Sequence, residues 1–219
     1  MPKGAAIFDL DGTLVDNMRF HAETWVEICK ELGQSRPQEF FETVTAGKKN
    51  SEILRLLLGP KASDEQIARV GARKEARYRE RFRPVMAPVP GAVELLARLA
   101  LAGTPCAIAT LAPRENRDMV LDGLGLRRFF TVIIGAEQSP RGKPHPDIYL
   151  AAAQALGAAT GDCVAFEDAV NGVRSAVAAG IDTAAVTTGA RAPALLEAGA
   201  RWILEDFTRI PEALLQRLC

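Results

Sequence analysis

Cysteine is scarce in this 219-residue chain: Cys29, Cys106, Cys163 and Cys219 stand far apart, and no two of them form a C-x-x-C pair. That spacing excludes a zinc knuckle or a disulfide framework and leaves a reducing cytoplasm as the expected location. Long hydrophobic runs are missing too. A membrane span needs about 18 uninterrupted apolar residues, and the longest candidate, 99–112, is broken by Gly103 and Pro105. The opening MPKGAAIFDLDG meets two aspartates too early for a signal peptide. Net charge is absent as well, with 27 Lys and Arg against 27 Asp and Glu. A nucleic-acid binder would carry a basic excess. No heptad or exposed apolar repeat suggests an obligate partner, so a monomer is expected.

What the chain has is apolar residues, 48% of the total, and enough length to bury a full core. Short apolar runs at 5–8, 106–109, 132–134, 163–166 and 183–186 alternate with amphipathic segments at 92–102, 115–124, 147–156, 170–179 and 194–198. Continuous apolar strands separated by helices indicate an α/β fold with a parallel sheet covered on both faces. One stretch breaks this rhythm. From Asn17 to Pro88 only helical periodicity appears, with Met18, Ala22, Trp25, Cys29 and Leu32 at helical spacing and a Ser63/Gln66 capping pattern further on. The expected organisation is therefore a core domain built from 1–16 and 89–219, with an inserted α-helical cap domain at 17–88.

In open α/β sheets ligands bind beyond the carboxyl ends of the strands, so the residues that follow each apolar run carry the argument. Asp9 and Asp11 follow the first run, Thr110 the second, and Glu167 and Asp168 the fourth, with Lys143 preceding the fourth in Arg-Gly-Lys-Pro-His-Pro. Four carboxylates gathered at one edge repel one another and call for a cation. Hard oxygen ligands without His or Cys favour Mg²⁺ over zinc. A calcium-binding EF-hand is excluded, because Leu14 and Phe20 occupy the positions where its glycine and glutamate would stand.

The expected assembly is a Mg²⁺-dependent phosphoryl-transfer site. Asp9 attacks phosphorus, Asp11 exchanges a proton with the substrate oxygen, and Thr110 and the amides after it, at Leu111 and Ala112, hold phosphate oxygens. Lys143 neutralises developing charge. Arg114, just beyond those amides, joins the expected substrate contacts.

These residues, in this order, resemble the haloacid dehalogenase-like phosphatase superfamily, whose motifs stand here as Asp9-Leu-Asp11-Gly-Thr, Thr110, Lys143 and Glu167-Asp168. The resemblance implies a Rossmann-like core, Mg²⁺ and an aspartyl-phosphate intermediate. It also implies that Asp9, the Asp11 carbonyl and Asp168 bind the metal directly and that Glu167 acts through water. Phe166-Glu-Asp-Ala-Val-Asn-Gly172 and Gly142-Lys-Pro-His-Pro-Asp147 are similar to the subgroup containing β-phosphoglucomutase and small sugar-phosphate phosphatases. By the same resemblance His21 stands at the subgroup's hinge histidine and Lys74 at its cap lysine, and Lys48 and Lys49 fall in its specificity loop.

The residues themselves leave alternatives at these positions. Lys74 is the one charge on the helical stripe Ile67, Val70, Gly71, Lys74, Tyr78, Phe82. It either snorkels to water or meets a buried anion. His21 is either a packed core histidine or a partner of Asp11, and Lys48 and Lys49 are either solvated or substrate-facing. The insert carries 14 basic and 10 acidic residues, a balance that suits an anionic substrate.

Two activities share this core. A phosphatase releases the phosphoryl group from a small phosphorylated metabolite to water, while a phosphomutase of the β-phosphoglucomutase type returns it to the sugar. Asn17, Pro113-Arg114 and an arginine-free loop at 45–51 depart from the mutase pattern and favour the phosphatase. A receiver-like signalling domain would use similar side chains but has no need of an insert over the site.

Overall fold

Six parallel strands carry the chain in the order β3-β2-β1-β4-β5-β6 in the computed structural model, which describes residues 4–219. They are β1 (Ala5–Phe8), β2 (Cys106–Ala109), β3 (Val132–Ile134), β4 (Cys163–Glu167), β5 (Asp182–Val186) and β6 (Trp202–Leu204). The helices are α1 (Met18–Glu31), α2 (Gln38–Thr43), α3 (Asn50–Leu58), α4 (Asp64–Phe82), α5 (Ala92–Leu101), α6 (Arg114–Gly123), α7 (Asp147–Leu156), α8 (Val170–Ala178), α9 (Ala192–Glu197) and α10 (Glu212–Leu218).

The five apolar runs become five of the strands, and two of them lengthen by one polar residue, Glu167 in β4 and Asp182 in β5. Three elements have no counterpart in the sequence expectations: β6 with three residues, α2 with six and α10 with seven.

Alternation along β1 divides the core. Ala6 and Phe8 pack with Leu96, Leu99, Val120 and Leu215 in one cluster, whereas Ala5 and Ile7 pack with Tyr149, Ala152 and Ala176 in another. Successive strand residues point to opposite faces, so a sheet clothed by helices on both sides needs apolar residues at every position.

The helical segment α1–α4 lies between β1 and α5 and has a core of its own that includes Trp25, Ile28, Leu54, Leu57, Ile67 and Val70. Its two connections to the sheet run side by side. Val15 forms an antiparallel bridge with Pro88, and the Val89 amide donates to the Leu14 carbonyl at 2.9 Å. Helix α4 binds the two parts together, since Tyr78 and Phe82 near its end join the main core. Among the described residues no helix is long and apolar enough to cross a membrane. The signal-peptide expectation rests in part on residues 1–3, which lie outside the described residues.

Candidate active site

Parallel pairing of β1 with β2 and β4 sets Phe8 beside Ile108 and Phe166, so the residues that follow emerge at one edge. The Phe8 and Phe166 rings stack with centroids 4.4 Å apart beneath that edge, and the Asp9 amide donates to the Phe166 carbonyl at 3.0 Å. Thr110 is fixed in the same way by its amide on the Ile134 carbonyl. Asp9, Thr110, Lys143, Glu167 and Asp168, far apart in sequence, thus line one cleft and are all buried.

Lys143 is the positive centre of this group. Its Nζ donates to Asp9 Oδ1 at 2.8 Å and to Glu167 Oε1 at 2.5 Å. Glu167 is saturated: Tyr149 donates its hydroxyl to Oε1 at 2.7 Å, and the amides of Asp168 and Ala169 donate to Oε2. Burial alone would discharge Lys143, yet the attraction of Asp9 and Glu167 holds its pKa above the ordinary lysine value. Burial pushes the Asp9 carboxyl up to about 7, with Glu167 and Asp11 adding repulsion and Lys143 opposing. Asp168 is raised for the same reasons, burial first and then Glu167 and Asp9.

Those raised values describe three carboxylates sharing one positive side chain, and the donor set fits a hard divalent cation. One oxygen each from Asp9, Glu167 and Asp168 lies within 4.8 Å of the others. Asp168 Oδ1 accepts from the Thr13 hydroxyl at 3.3 Å, but Oδ2 is buried without a hydrogen-bond partner. An orphaned anionic oxygen is costly in a protein interior. Two glycines approach it closely: a Cβ added to Gly12 or Gly189 would lie 2.1 or 1.9 Å from Asp168 Oδ2. Gly12 also has φ +82°, a conformation that glycine adopts freely.

Asp11 turns from this cluster towards the helical segment. Asn17, fully buried, donates from Nδ2 to Asp11 Oδ1 and to the Tyr78 hydroxyl, both at 2.6 Å, and accepts the Gly12 amide at 3.0 Å. His21 Nε2 faces Asp11 Oδ2 at 3.5 Å, and Lys74 Nζ lies 2.6 Å from His21 Nδ1. An ammonium has only donors, so Nδ1 accepts and the ring proton sits on Nε2, towards Asp11.

Of the two outcomes open to Lys74, the structure adopts the second in an unforeseen form. The lysine is 1% exposed, and the anion it meets belongs to the chain itself: Glu75 Oε1, at 2.9 Å. Burial works against ionising Glu75. The charge of Lys74, with hydrogen bonds from Lys74 and Asn50, nevertheless holds its carboxyl down at about 2. Glu75 Oε2 accepts from Asn116 of α6 at 2.7 Å, which joins the helical segment to the helices packed on the sheet. Sequence reasoning passed over Glu75, although it continues the buried positions Ile67, Gly71, Tyr78 and Phe82 of α4 at helical spacing. Tyr149 and Asn116 were likewise missed, with no comparable signal.

Two expected substrate contacts are corrected. Lys49 spends its ammonium on the Ala136 carbonyl at 3.2 Å and on the Ser139 carbonyl, so Lys48 takes its place along the cleft. Arg114 opens α6 with its side chain 82% exposed against Asp118 and does not line the cleft. Leu111 and Ala112 do line it, but the Ala112 amide donates to Thr110 Oγ1 at 3.1 Å rather than pointing free.

A family model described as haloacid dehalogenase-like hydrolase matches residues 4–180. The chain belongs to that family. It is 37% identical over 193 residues to hexitol phosphatase A of Escherichia coli strain K12, covering 87% of this chain and 86% of the relative. Validoxylamine A 7'-phosphate phosphatase of Streptomyces hygroscopicus subsp. limoneus is 32% identical over 208 residues, 94% of each chain. The β-phosphoglucomutase of Clostridium difficile has the same fold, with a TM-score of 0.84 at 24% identity over 97% of this chain and 95% of that one. As a haloacid dehalogenase-like hydrolase with named phosphatases among its relatives, the protein is a phosphoric monoester hydrolase.

Proposed function

We propose that this hydrolase is a Mg²⁺-dependent phosphatase of a small phosphorylated metabolite, a sugar phosphate, working through an aspartyl-phosphate on Asp9. The observation that carries the proposal is the buried group Asp9, Lys143, Glu167 and Asp168, with one Asp168 oxygen left unpartnered. Asp9 and Asp168, with the Asp11 carbonyl, would hold the cation, and Glu167, already saturated, would steady the group through Lys143 and nearby water. Bound there, magnesium supplies charge neutralisation to the phosphoryl oxygens.

Asp9 Oδ attacks phosphorus as the ester oxygen departs. Asp11, steadied by Asn17 on one oxygen and facing His21 with the other, gives that oxygen its proton. The same carboxylate then takes a proton from the water that cleaves the aspartyl-phosphate. Lys143 keeps Asp9 anionic for attack and offsets charge as the phosphoryl group transfers. Thr110, Leu111 and Ala112 bound the phosphate pocket. Among the segments expected to form the cap, α1, α3 and α4 furnish His21, Asn50 and Lys74, over the leaving group.

Release to water is favoured over return to the sugar by the phosphatases among the relatives, since the likeness to the Clostridium difficile β-phosphoglucomutase is one of fold. The proposal includes action as a cytoplasmic monomer on a small molecule, without nucleic acid or membrane. Its test is a screen of phosphorylated sugars with Mg²⁺, reading both free phosphate and positional isomers. Free phosphate supports the hydrolase. Conversion of β-glucose 1-phosphate to glucose 6-phosphate in its place would make the enzyme a mutase.

A further inference from the structure

The positive charge that the insert offers to a substrate is largely consumed inside the protein. Three charged side chains from the insert line the cleft: Lys48, Lys74 and Glu75. Lys74 is sealed between Glu75 Oε1 and His21 Nδ1, with its ammonium 5.0 Å above the Trp25 ring. Its charge is therefore matched at contact distance by a carboxylate that is itself buried and held by Asn50 and Asn116. In sum the insert contributes one positive charge, on the half-buried Lys48. The remaining walls above the catalytic aspartates are neutral, formed by Met18, Ala22, Trp25, Phe41 and Ile53. The cavity is small, about 100 Å³.

A substrate with a second phosphate would have to place a charge of roughly −1.5 to −2 in this space. It would meet one flexible lysine and a Lys74–Glu75 pair whose charges sum to zero. Taking such a charge out of water without a matching cation is costly. A hydroxyl faces no such penalty. It can donate to the Glu75 carboxylate, which has acceptor capacity beyond its three bonds.

We infer that the cleft selects singly phosphorylated polyols or sugars over bisphosphates, with the buried Lys74–Glu75 pair as the determinant of that choice. This rests on the phosphatase reading above and names its substrate class. Glu75 acts as a specificity-determining residue: it cancels the lysine that would otherwise anchor a distal anion, and it presents an acceptor to substrate hydroxyls.

The test compares matched pairs with Mg²⁺, glucose 6-phosphate against glucose 1,6-bisphosphate and fructose 6-phosphate against fructose 1,6-bisphosphate, with p-nitrophenyl phosphate as a probe of the core chemistry. The wild type should favour the monophosphate of each pair by about tenfold or more in kcat/KM. Glu75→Gln should bring that ratio to one or invert it, through a lower KM for the bisphosphates. Glu75→Asp, which keeps the charge, should preserve the preference. A ratio shared by wild type and folded Glu75→Gln would overturn the inference, because a structural role moves both substrates alike. If Glu75→Gln fails to fold, the wild-type ratio still decides, and a wild-type preference for bisphosphates refutes it. Hydrolysis of p-nitrophenyl phosphate alongside that preference leaves the phosphatase reading intact. No hydrolysis of any ester removes both.

Discussion

Asn17 donates a 2.6 Å hydrogen bond to Asp11 Oδ1 from the point where the chain passes from β1 to the helical segment α1–α4. The same amide nitrogen reaches the Tyr78 hydroxyl on α4, and the amide oxygen takes the Gly12 N–H. One side chain therefore aims the proposed acid–base carboxylate and ties it to the element that carries Lys74. Asn17→Ala should reduce kcat by about tenfold or more, within the range that positioned proton transfer supplies. It should also cost roughly 1–3 kcal/mol of stability by leaving buried polar groups unpaired. Steady-state kinetics and urea unfolding on the same preparation separate the two effects. A folded variant with wild-type kcat would show that Asp11 works without this support.

The raised carboxyls predict how pH and metal interact. Asp9 is raised from 3.8 to about 7, chiefly by burial, so the folded state binds its proton more tightly than the unfolded state does. Stability from this group is present below pH 3.8 and is lost as pH rises through about 7. Metal-free protein should therefore show a Tm that falls across this interval. Added Mg²⁺ should raise Tm most at neutral pH and above, where the carboxylates are ionised, and little near pH 4. Thermal scans with EDTA and with Mg²⁺ across that range provide the check. An equal Mg²⁺ shift at both ends would mean that the cation binds elsewhere.

How much of this was legible follows from what each residue needs in order to be seen. Asp9, Thr110, Glu167 and Asp168 stand directly after apolar runs, and a parallel sheet brings such positions to one edge whatever the helices do. Glu75, Asn116 and Tyr149 sit within helices, where orientation depends on how those helices are docked. Nothing in the local pattern says that Asn116 of α6 meets Glu75 of α4 at 2.7 Å. Lys48 and Lys49 illustrate the limit most sharply. Adjacent residues of one type in a loop point in different directions, and only the carbonyls of Ala136 and Ser139 decide which of them is drawn away.

Glu75 gives a second pH signature, opposite in sign to that of Asp9. Its carboxyl is lowered from 4.5 to about 2, where the Lys74 charge and the hydrogen bonds outweigh the effect of burial. The unfolded chain takes up this proton first as pH falls. The stabilisation is complete above pH 4.5 and is lost progressively towards pH 2. Its size is on the order of 3 kcal/mol. Glu75→Gln should be less stable than wild type at pH 7 and should lose less on acidification. The difference between the two should narrow as pH drops. Urea midpoints at several pH values measure it, and parallel acid limbs would show that the carboxylate makes no net contribution.

Glycine at position 189 offers the cleanest test of the proposed metal seat. Its backbone has ordinary φ, so Gly189→Ala introduces no left-handed strain. A Cβ there would nonetheless lie 1.9 Å from Asp168 Oδ2 and 3.1 Å from the Asp168 carbonyl oxygen. The carboxylate must move, and the orphaned oxygen moves with it. Gly33→Ala is the reverse case: φ is +71° but nothing lies within 4 Å of the added Cβ, so it carries only the backbone cost of about 1 kcal/mol. Gly189→Ala should weaken Mg²⁺ activation by about tenfold or more, a shift comparable to loss of a positioning contact at a metal. Gly33→Ala should lower Tm by a few degrees and leave Mg²⁺ activation unchanged. Mg²⁺ titrations of activity at saturating substrate read the comparison directly. Wild-type Mg²⁺ dependence in Gly189→Ala would mean that Asp168 does not hold the cation.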